Sequence, residues 1–378
     1  MAVKSSLSKF IFFALAILLI ISASADNCFN SIVGFGDSLT DTGNGFHFVS
    51  EYNPLPYFTL PPYGNTFFDR PTGRNSDGRL IIDFIAEDLG LPFVEPFFHE
   101  GRNASLESVN FAVVGGTALE DSYFTEINIT LPLANVSLAT QFSWFKQFLS
   151  NKYNNSSDYK RYLQTSLVLL GEIGCNDYNH AFLQGKNEAE VQPFVPKIVK
   201  RIGETINELI NLGALTIVVP GNFPIGCTAT YLAHFASTNE EDYDSSTGCI
   251  KWLNRFAEYH NDLLQTELSR IREFHPETKI FYGDYYNAAM NIYRNPEIYG
   301  FTEGTLRACC GGGGSYNFNF SVQCGHPSSM SCVDPSCYMN WDGMHFTDVG
   351  AKWLAKAVLT HLGTICDRPS SHAGVYDH

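Results

Sequence analysis

The stretch IVGFGDSLTDTGN, residues 32–44, joins an apolar run to a polar turn that contains Ser38. An apolar run of this length, without polar alternation, is typical of a strand in a parallel sheet that is covered on both faces. Open α/β sheets bind their ligands just beyond the carboxyl ends of the strands. Ser38 is therefore expected at the ligand-binding edge of such a sheet, although Gly-Asp-Ser is also ordinary turn chemistry.

Four further apolar runs of strand length alternate with longer segments of helical periodicity. The five expected strands are residues 31–35, 109–114, 166–171, 215–220 and 279–284. Apolar residues at three- and four-residue steps predict helices from Val195 to Gly213, over Ile250–Phe274, and from Thr347 or Asp348 to Leu362. Strands that alternate with helices in this way predict a doubly wound α/β sheet.

The first 25 residues predict a secretory signal peptide. Two lysines precede the apolar segment FIFFALAILLIIS, and the small residues ASA that follow it suit cleavage before Asp26. An uncleaved membrane anchor is the alternative, but the apolar segment is shorter than the roughly 20 residues that a membrane span needs. No internal repeat or linker divides the remainder, so we expect a secreted mature chain of one domain, residues 26–378, with no stable membrane anchor.

The chain is acidic, with a formal net charge of −15 at pH 7, and removal of the two lysines with the signal peptide makes it more negative still. An acidic chain without a basic run is not expected to bind nucleic acid or an anionic membrane. Six glycosylation sequons support passage through the secretory pathway, and the adjacent pair among them cannot both be used. They lie at Asn103, Asn128, Asn135, Asn154, Asn155 and Asn319.

All ten cysteines lie beyond the predicted signal peptide, and an even number in a secreted chain predicts disulfides. Five of them fall between Cys309 and Cys337, where a zinc site is the alternative. These five lack the paired C-x-x-C spacing of zinc sites, so we expect no metal. The spacings leave the disulfide pairing open.

Two further segments are expected at the same edge of the sheet as Ser38. VVGGTAL follows the second strand and carries Gly115 and Gly116, and GEIGCNDYN follows the third and carries Asn176. The N–H groups of Ser38 and Gly115, with the amide of Asn176, are donors of the kind that form an oxyanion hole. Each segment taken singly is also explained by ordinary turn geometry.

A serine nucleophile needs a base, and the segment WDGMHFTD offers His345 with Asp342 three residues earlier. On one turn of helix, residues three apart share a face, so the carboxylate is expected to fix the imidazole tautomer and leave the other nitrogen for Ser38. A metal-ligand pair and a capped helix start are the alternatives. The G-x-S-x-G elbow of the α/β-hydrolases is absent from the sequence.

Together these segments resemble the plant GDSL esterase/lipase family within the SGNH hydrolases. FGDSLTDTGN, NFAVVGGTAL, GEIGCNDY and WDGMHFT match the four blocks of that family in order, over nearly the whole mature chain. The resemblance implies the SGNH hydrolase fold, a flavodoxin-like three-layer α/β/α sandwich with a parallel sheet of about five strands. It also implies a catalytic triad of Ser38, Asp342 and His345, and an oxyanion hole of Ser38, Gly115 and Asn176.

The function implied by the resemblance is hydrolysis of a small-molecule carboxylic ester through an acyl-enzyme, without metal or organic cofactor. The expected location is extracellular, in the apoplast, or in the vacuole. The segment FTEGTLRACCGGGGSYNFNF is similar to a plant subgroup that includes the acetylajmalan and sinapine esterases, which indicates esters of specialised plant metabolites or lipids. An acyltransferase with the same acyl-enzyme and a non-catalytic secreted binding or defence protein are the alternatives.

Two positions depart from the commonest family pattern. Cys175 stands beside Asn176 where relatives usually carry a small residue such as glycine, and it is either a free thiol or half of a disulfide. Gly116 stands where many relatives carry alanine. The resemblance places the oxyanion glycine at Gly115, five residues beyond Asn110, and leaves Gly116 as the alternative.

Overall fold

The computed structural model describes residues 28–49, 55–99, 101, 107–131 and 136–363. The predicted signal peptide and the predicted glycosylation sites Asn103 and Asn135 lie outside the described residues. Within the described part of the chain, none of the helices has the length and apolar character that crossing a membrane requires. The assignment of residues 26–378 to a single domain stays a prediction.

Five parallel strands form the central sheet, as the sequence predicts. They are β1 (Ser31–Phe35), β2 (Val109–Asn110), β3 (Ser166–Leu170), β4 (Thr216–Pro220) and β5 (Lys279–Gly283). Their order is β2-β1-β3-β4-β5, and every neighbouring pair is parallel. This is the flavodoxin-like order of doubly wound sheets, so the carboxyl ends of the strands all face one edge. All residues of β1, β3 and β4 are buried, which explains their continuous apolar character.

Helices cover both faces of the sheet. The helices are α1 (Asn44–Val49), α2 (Ile81–Asp88), α3 (Asp121–Glu126), α4 (Leu138–Lys152), α5 (Ser156–Gln164), α6 (Cys175–Leu183), α7 (Glu188–Val191), α8 (Val195–Leu212), α9 (Ala229–His234), α10 (Lys251–Phe274), α11 (Tyr285–Arg294) and α12 (Asp348–Gly363). α4, α8 and α10 form one packed group, and α2, α11 and α12 form the other. The predicted α/β/α sandwich is confirmed.

The three long helices that periodicity predicts are confirmed to within a residue or two. α8 ends at Gly213, which takes the left-handed conformation with φ 117° and so stops the helix. α12 begins after Thr347, whose Oγ1 accepts the N–H of Gly350 at 3.0 Å and caps the first turn. The helix ends therefore follow from local chemistry that is readable in the sequence.

The second strand is shorter than the predicted residues 109–114, since regular strand geometry ends at Asn110. The Asn110 amide nitrogen donates to Thr40 O at 2.6 Å, and its oxygen accepts the N–H of Ala112 at 3.0 Å. Residues 111–114 are still buried, which gives them the apolar character of a strand. They still run beside β1, where the N–H of Phe111 donates to Gly34 O at 2.8 Å, before the turn that carries the paired glycines.

Disulfides organise the glycine-rich segment that follows α11. Cys309–Cys332 joins the residues beside the short strands β6 (Cys310–Gly311) and β7 (Met330–Ser331), and Cys310–Cys324 ties β6 to the segment between them. Cys227–Cys249 joins the residues just before α9 to those just before α10. Cys28 is also disulfide-bonded. Among the described cysteines, Cys175 and Cys337 are free. The prediction of disulfides is thus confirmed, and most of the described cysteines take part in them.

Candidate active site

Ser38 lies just beyond the carboxyl end of β1, in a turn that the preceding residues prepare. Gly36 leaves the strand with φ 141°, a conformation that favours glycine. The carbonyl oxygen of Asp37 then accepts the N–H groups of Thr40 at 3.1 Å and Asp41 at 2.8 Å. The turn holds Ser38 at the ligand-binding edge of the sheet, with 7% of its surface exposed.

The buried carboxylate of Asp41 joins this turn to the loop after β2. Its two oxygens accept four N–H groups at 2.6 to 2.9 Å, from Gly43, Asn44, Gly45 and Val114. Burial raises the pKa of Asp41 to about 6, and the four donors act against that shift, so the group is ionised at neutral pH. The loop with the paired glycines is therefore held in a defined position relative to the serine.

The three side chains predicted as a triad are in direct contact. His345 Nε2 lies 2.8 Å from Ser38 Oγ. On the other side of the ring, Nδ1 lies 2.7 Å from Asp342 Oδ2 and 2.9 Å from Asp342 Oδ1. These distances are in the range required between a nucleophile and its base, and between a base and the group that orients it.

The prediction that Asp342 and His345 share one turn of helix was wrong. Residues 342–345 form a bend that ends before α12. Gly343 has φ 102° in this bend, and Asp342 Oδ1 accepts the N–H groups of Met344 at 3.1 Å and His345 at 3.0 Å. The carboxylate closes its own turn and still reaches the imidazole, so the two side chains meet without a helix.

Residues of α9 and of the cysteine-rich segment pack against this bend at Gly343. The carbonyl oxygen of Gly343 accepts both the N–H and the hydroxyl of Thr230 at 3.0 Å. A Cβ added to Gly343 would also collide with the ring of Phe318. Glycine is therefore required here by the close approach of the ring as well as by the backbone conformation.

Tyr63 is a residue of this site that the sequence analysis missed. Its hydroxyl donates to Asp342 Oδ2 at 2.7 Å, and the side chain is buried against Trp341. Burial, followed by the charge of Asp342, raises the pKa of Tyr63 well above its usual value, so the hydroxyl keeps its proton. No local motif marks this tyrosine, because its partner lies 279 residues away in the chain.

The contacts of the triad shift the pKa values of its acid and base in opposite directions. Burial alone raises the pKa of Asp342, but the charge and hydrogen bond of His345 and the hydroxyl of Tyr63 lower it to about 2. Burial alone lowers the pKa of His345, but the Asp342 carboxylate outweighs burial and raises it above its usual value of 6.5. The pair is therefore arranged to stabilise a protonated imidazole.

Of the two adjacent glycines, Gly115 offers the freer donor. Gly115 has φ 77° and is the third residue of a turn that Gly116 closes by donating its N–H to Val113 O at 2.9 Å. The N–H of Gly116 is engaged in this way. Within the described part of the chain, the N–H groups of Gly115 and Ser38 donate to no other group.

Asn176 is on the first turn of α6, which follows β3 through Gly174 in a left-handed conformation with φ 114°. Its amide nitrogen donates to Gly116 O and to Asp37 Oδ2, each at 3.1 Å. The asparagine thus contacts both the glycine loop and the residue before Ser38. The structure brings together all the residues predicted for the triad and the oxyanion hole.

Two buried carboxyl groups near Asn176, those of Asp37 and Glu172, were not identified in the sequence analysis. Asp37 and Glu172 are both almost fully buried, and each shifts the pKa of the other. Burial raises both pKa values, and the charge of Asp37 raises that of Glu172 further. Neighbouring like charges disfavour double ionisation, so Glu172 is the group of the pair that holds its proton more tightly.

The question left open about Cys175 is answered, since the structure shows a free thiol. Desolvation, followed by the charges of Glu172 and Asp37, raises the pKa of this thiol well above its usual value. Its Sγ lies 3.8 Å from Asn179 Oδ1. A protonated thiol among carboxyl groups is a weak nucleophile, so Cys175 has the character of a packing residue.

Four of the predicted glycosylation sites lie in the described residues, and all are exposed: Asn128, Asn154, Asn155 and Asn319. In the adjacent pair, Asn155 caps α5 by accepting the N–H groups of Ser157 and Asp158 at 3.0 Å, and its amide nitrogen donates to the Asp158 side chain at 2.9 Å. The amide of Asn155 is therefore already engaged. Glycosylation at these positions stays a prediction.

Comparison with known proteins identifies the family. Residues 32–358 match the family model described as GDSL-like Lipase/Acylhydrolase. A GDSL esterase/lipase of Arabidopsis thaliana is 46% identical over 359 residues, which cover 95% of this chain and 91% of the relative. Another from the same plant is 48% identical over 341 residues, covering 90% and 86%. A sinapine esterase of Brassica napus is 45% identical over 361 residues, covering 95% and 92%.

The matched region runs from β1 into α12, so it contains every segment that meets at the edge of the sheet. The resemblance to plant GDSL esterases and lipases, which the sequence indicates through its four blocks, is confirmed. A member of the subgroup indicated by the cysteine-rich segment, sinapine esterase, is among the relatives. The chain therefore belongs to the GDSL family of lipases and acylhydrolases, and it is a carboxylic ester hydrolase.

Proposed function

We propose that the chain is a secreted serine esterase that works through an acyl-enzyme on Ser38. The observation that carries the proposal is the continuous contact from Ser38 Oγ through the imidazole of His345 to Asp342, at 2.8 and 2.7 Å. A serine hydroxyl is a weak nucleophile at neutral pH and needs an oriented base beside it. This contact supplies the base and its orientation.

In the acylation step, His345 Nε2 accepts the proton of Ser38 as Oγ attacks the ester carbonyl. Asp342 keeps the other imidazole proton on Nδ1 and stabilises the imidazolium that forms. His345 then donates its proton to the leaving alcohol. In the second half of the reaction the same histidine activates a water molecule, which hydrolyses the acyl-enzyme and returns Ser38 to its hydroxyl form.

The negative oxygen of the tetrahedral intermediate accepts hydrogen bonds from Ser38 N–H, Gly115 N–H and the amide nitrogen of Asn176. The two N–H groups are free to do so in the described structure. Asn176 donates to Asp37 and Gly116 at 3.1 Å, so the oxyanion must replace one of these acceptors. A charged oxygen is a stronger acceptor than the neutral carbonyl of Gly116, which favours that exchange.

Asn176→Ala is expected to lower kcat with p-nitrophenyl acetate by about 10²- to 10³-fold, the usual effect of removing one oxyanion donor. The alanine variant still carries Ser38, His345 and Asp342 in contact, so only stabilisation of the oxyanion is lost. Steady-state kinetics on the folded variant measures this effect. Undiminished kcat would remove Asn176 from the oxyanion hole and leave the triad proposal intact.

Activity is expected to fall as the pH drops through a midpoint above 6.5. His345 accepts a proton only when neutral, and its pKa is raised because the attraction of Asp342 outweighs burial. The acid limb of kcat/KM reports the free enzyme, so a profile from pH 4 to 9 measures this midpoint directly. A midpoint at or below 6.5 would contradict the proposed state of the Asp342–His345 pair.

Secretion and the substrate class are also part of the proposal. Three described disulfides support folding in an oxidising compartment, and the four described sequon asparagines are exposed. The sinapine esterase among the relatives supports esters of plant specialised metabolites or lipids as substrates. The test is a panel of short-acyl, long-acyl, phenolic and alkaloid esters, with kcat/KM measured for each on the purified glycoprotein.

A further inference from the structure

A chain of buried hydrogen bonds leads from α9 to the amide of Asn176. The hydroxyl of Tyr231 contacts Asn179 Oδ1 at 2.6 Å, and Asn179 Nδ2 contacts Asn176 Oδ1 at 3.2 Å. Asn179 is three residues beyond Asn176 on α6, so the two side chains share a face of that helix. Tyr231 is fully buried and Asn179 is 7% exposed, so water does not compete freely for these groups.

The carbonyl of Gly116 sets which groups donate and which accept along this series of hydrogen bonds. A backbone carbonyl only accepts, so the Asn176 atom that contacts Gly116 O must be the nitrogen. Asn176 then presents its oxygen to Asn179, which must answer with its own nitrogen. That leaves the Asn179 oxygen facing Tyr231, whose hydroxyl can donate to it. Each group fixes the orientation of the next.

The orientation matters because an asparagine amide has two ends of opposite character. Rotated by 180°, Asn176 would turn its oxygen towards Gly116 O and towards the place where the oxyanion forms, and both contacts would be repulsive. A donor at its oxygen opposes that rotation and restricts the swing of the side chain. Donors that are already aimed at the developing charge contribute most to catalysis.

We propose that Tyr231 and Asn179 are positioning residues that hold the Asn176 amide with its nitrogen directed into the oxyanion hole. The proposal rests on the proposed function, which assigns Asn176 to that hole. Neither residue contacts a triad side chain in the described structure, although Asn179 Nδ2 also lies 4.0 Å from Met344 Sδ in the bend before His345. The proposal assigns their effect on the reaction to Asn176, and the double variants below test that route. Tyr231 lies in none of the four family blocks. Asn179 follows the third block, three residues after Asn176 in GCNDYN.

The test compares Tyr231→Phe and Asn179→Ala with a matched control, Tyr178→Phe. Tyr178 is also fully buried, and its hydroxyl contacts His260 Nδ1 at 2.7 Å, away from Asn176. We expect kcat with p-nitrophenyl acetate to fall about 3- to 10-fold for Tyr231→Phe and about 5- to 20-fold for Asn179→Ala, as for loss of one buried hydrogen bond, with KM nearly unchanged. Tyr178→Phe is expected to keep wild-type kcat.

The same substitutions made together with Asn176→Ala separate a positioning role from a structural one. If Tyr231 and Asn179 act through Asn176, each should lower kcat by less than about 2-fold once that amide is absent, because coupled residues are not additive. Thermal unfolding monitors the stability of every variant. If Tyr231→Phe does not fold, Asn179→Ala and its double variant decide the question. The alanine removes the hydrogen bond that Asn179 donates to Asn176 Oδ1.

The outcomes distinguish this inference from the proposed function. Full kcat in Asn176→Ala alone would overturn the assignment of that residue to the oxyanion hole, and the inference with it. Reduced kcat in Asn176→Ala, together with wild-type kcat in Asn179→Ala and Tyr231→Phe, would overturn the inference only. Losses of equal size with and without the Asn176 amide would also overturn it, since they would show a structural role.

Discussion

Ser38→Ala is expected to lower kcat with p-nitrophenyl acetate by about 10⁴- to 10⁶-fold, because the acyl-enzyme cannot form without Oγ. The loss should fall on kcat more than on KM, since the alanine variant keeps the donors of the oxyanion hole and the surface that binds the ester. A residual rate above that of water is expected from those donors. Steady-state kinetics with enzyme at high concentration measures both parameters.

Ser31→Ala is the matched control, because Ser31 is a buried serine at the opposite end of β1. Its hydroxyl contacts Ser166 Oγ at 2.7 Å, so the variant also loses a buried hydroxyl and its partner. We expect Ser31→Ala to destabilise the fold while folded enzyme keeps kcat within about 2-fold, as for a change remote from the site. Wild-type hydrolysis by Ser38→Ala would remove this serine from the mechanism.

Asp342→Asn is expected to lower kcat by about 10⁴-fold, the size seen when an asparagine imposes the wrong imidazole tautomer. The two oxygens of Asp342 accept from Tyr63, Met344 N–H, His345 N–H and His345 Nδ1. An asparagine has only one oxygen, so its nitrogen must face one of these donors. When the amide nitrogen of the asparagine faces His345, it donates to Nδ1, and the ring proton must then be on Nε2. His345 Nε2 can then no longer accept the proton of Ser38.

Tyr63→Phe is the graded comparison for this variant. It removes one hydrogen bond to the same carboxylate and leaves the two carboxylate oxygens to hold the imidazole tautomer. The expected loss of kcat is therefore no more than about 10-fold, as for one buried hydrogen bond. Kinetics of both variants on the alkaline plateau of the pH profile gives the comparison. An Asp342→Asn enzyme with undiminished kcat would show that another group orients His345.

The sheet and the long helices were predictable because their signals are local. The apolar run before Ser38 is continuous because β1 is buried on both faces, and the pattern from Val195 to Gly213 repeats because one side of α8 packs on the core. Residues at three strand ends meet because parallel strands point the same way, so topology alone brings Ser38, Gly115 and Asn176 to one edge.

Contacts between distant segments limited prediction at two points near the site. Residues 111–114 are as apolar as a strand and run beside β1, but regular strand geometry ends at Asn110, whose amide donates to Thr40 O. The spacing of Asp342 and His345 fits a helical turn equally well, yet the bend is selected by Thr230 and Phe318, which pack around Gly343. In both cases, side chains from elsewhere in the chain decide between two locally allowed conformations.

The sequence by itself determined the class of fold, the edge of the sheet that carries the site, and the identity of the residues that meet there. Periodicity, turn chemistry and strand direction are properties of short segments, which is why these results required no coordinates. Only the tertiary structure decided how the site is held: the Tyr63 hydroxyl donates to Asp342, and Tyr231 acts through Asn179 on Asn176. These partners are recruited by burial from distant parts of the chain, because a polar group that folding removes from water must find its hydrogen bonds within the protein.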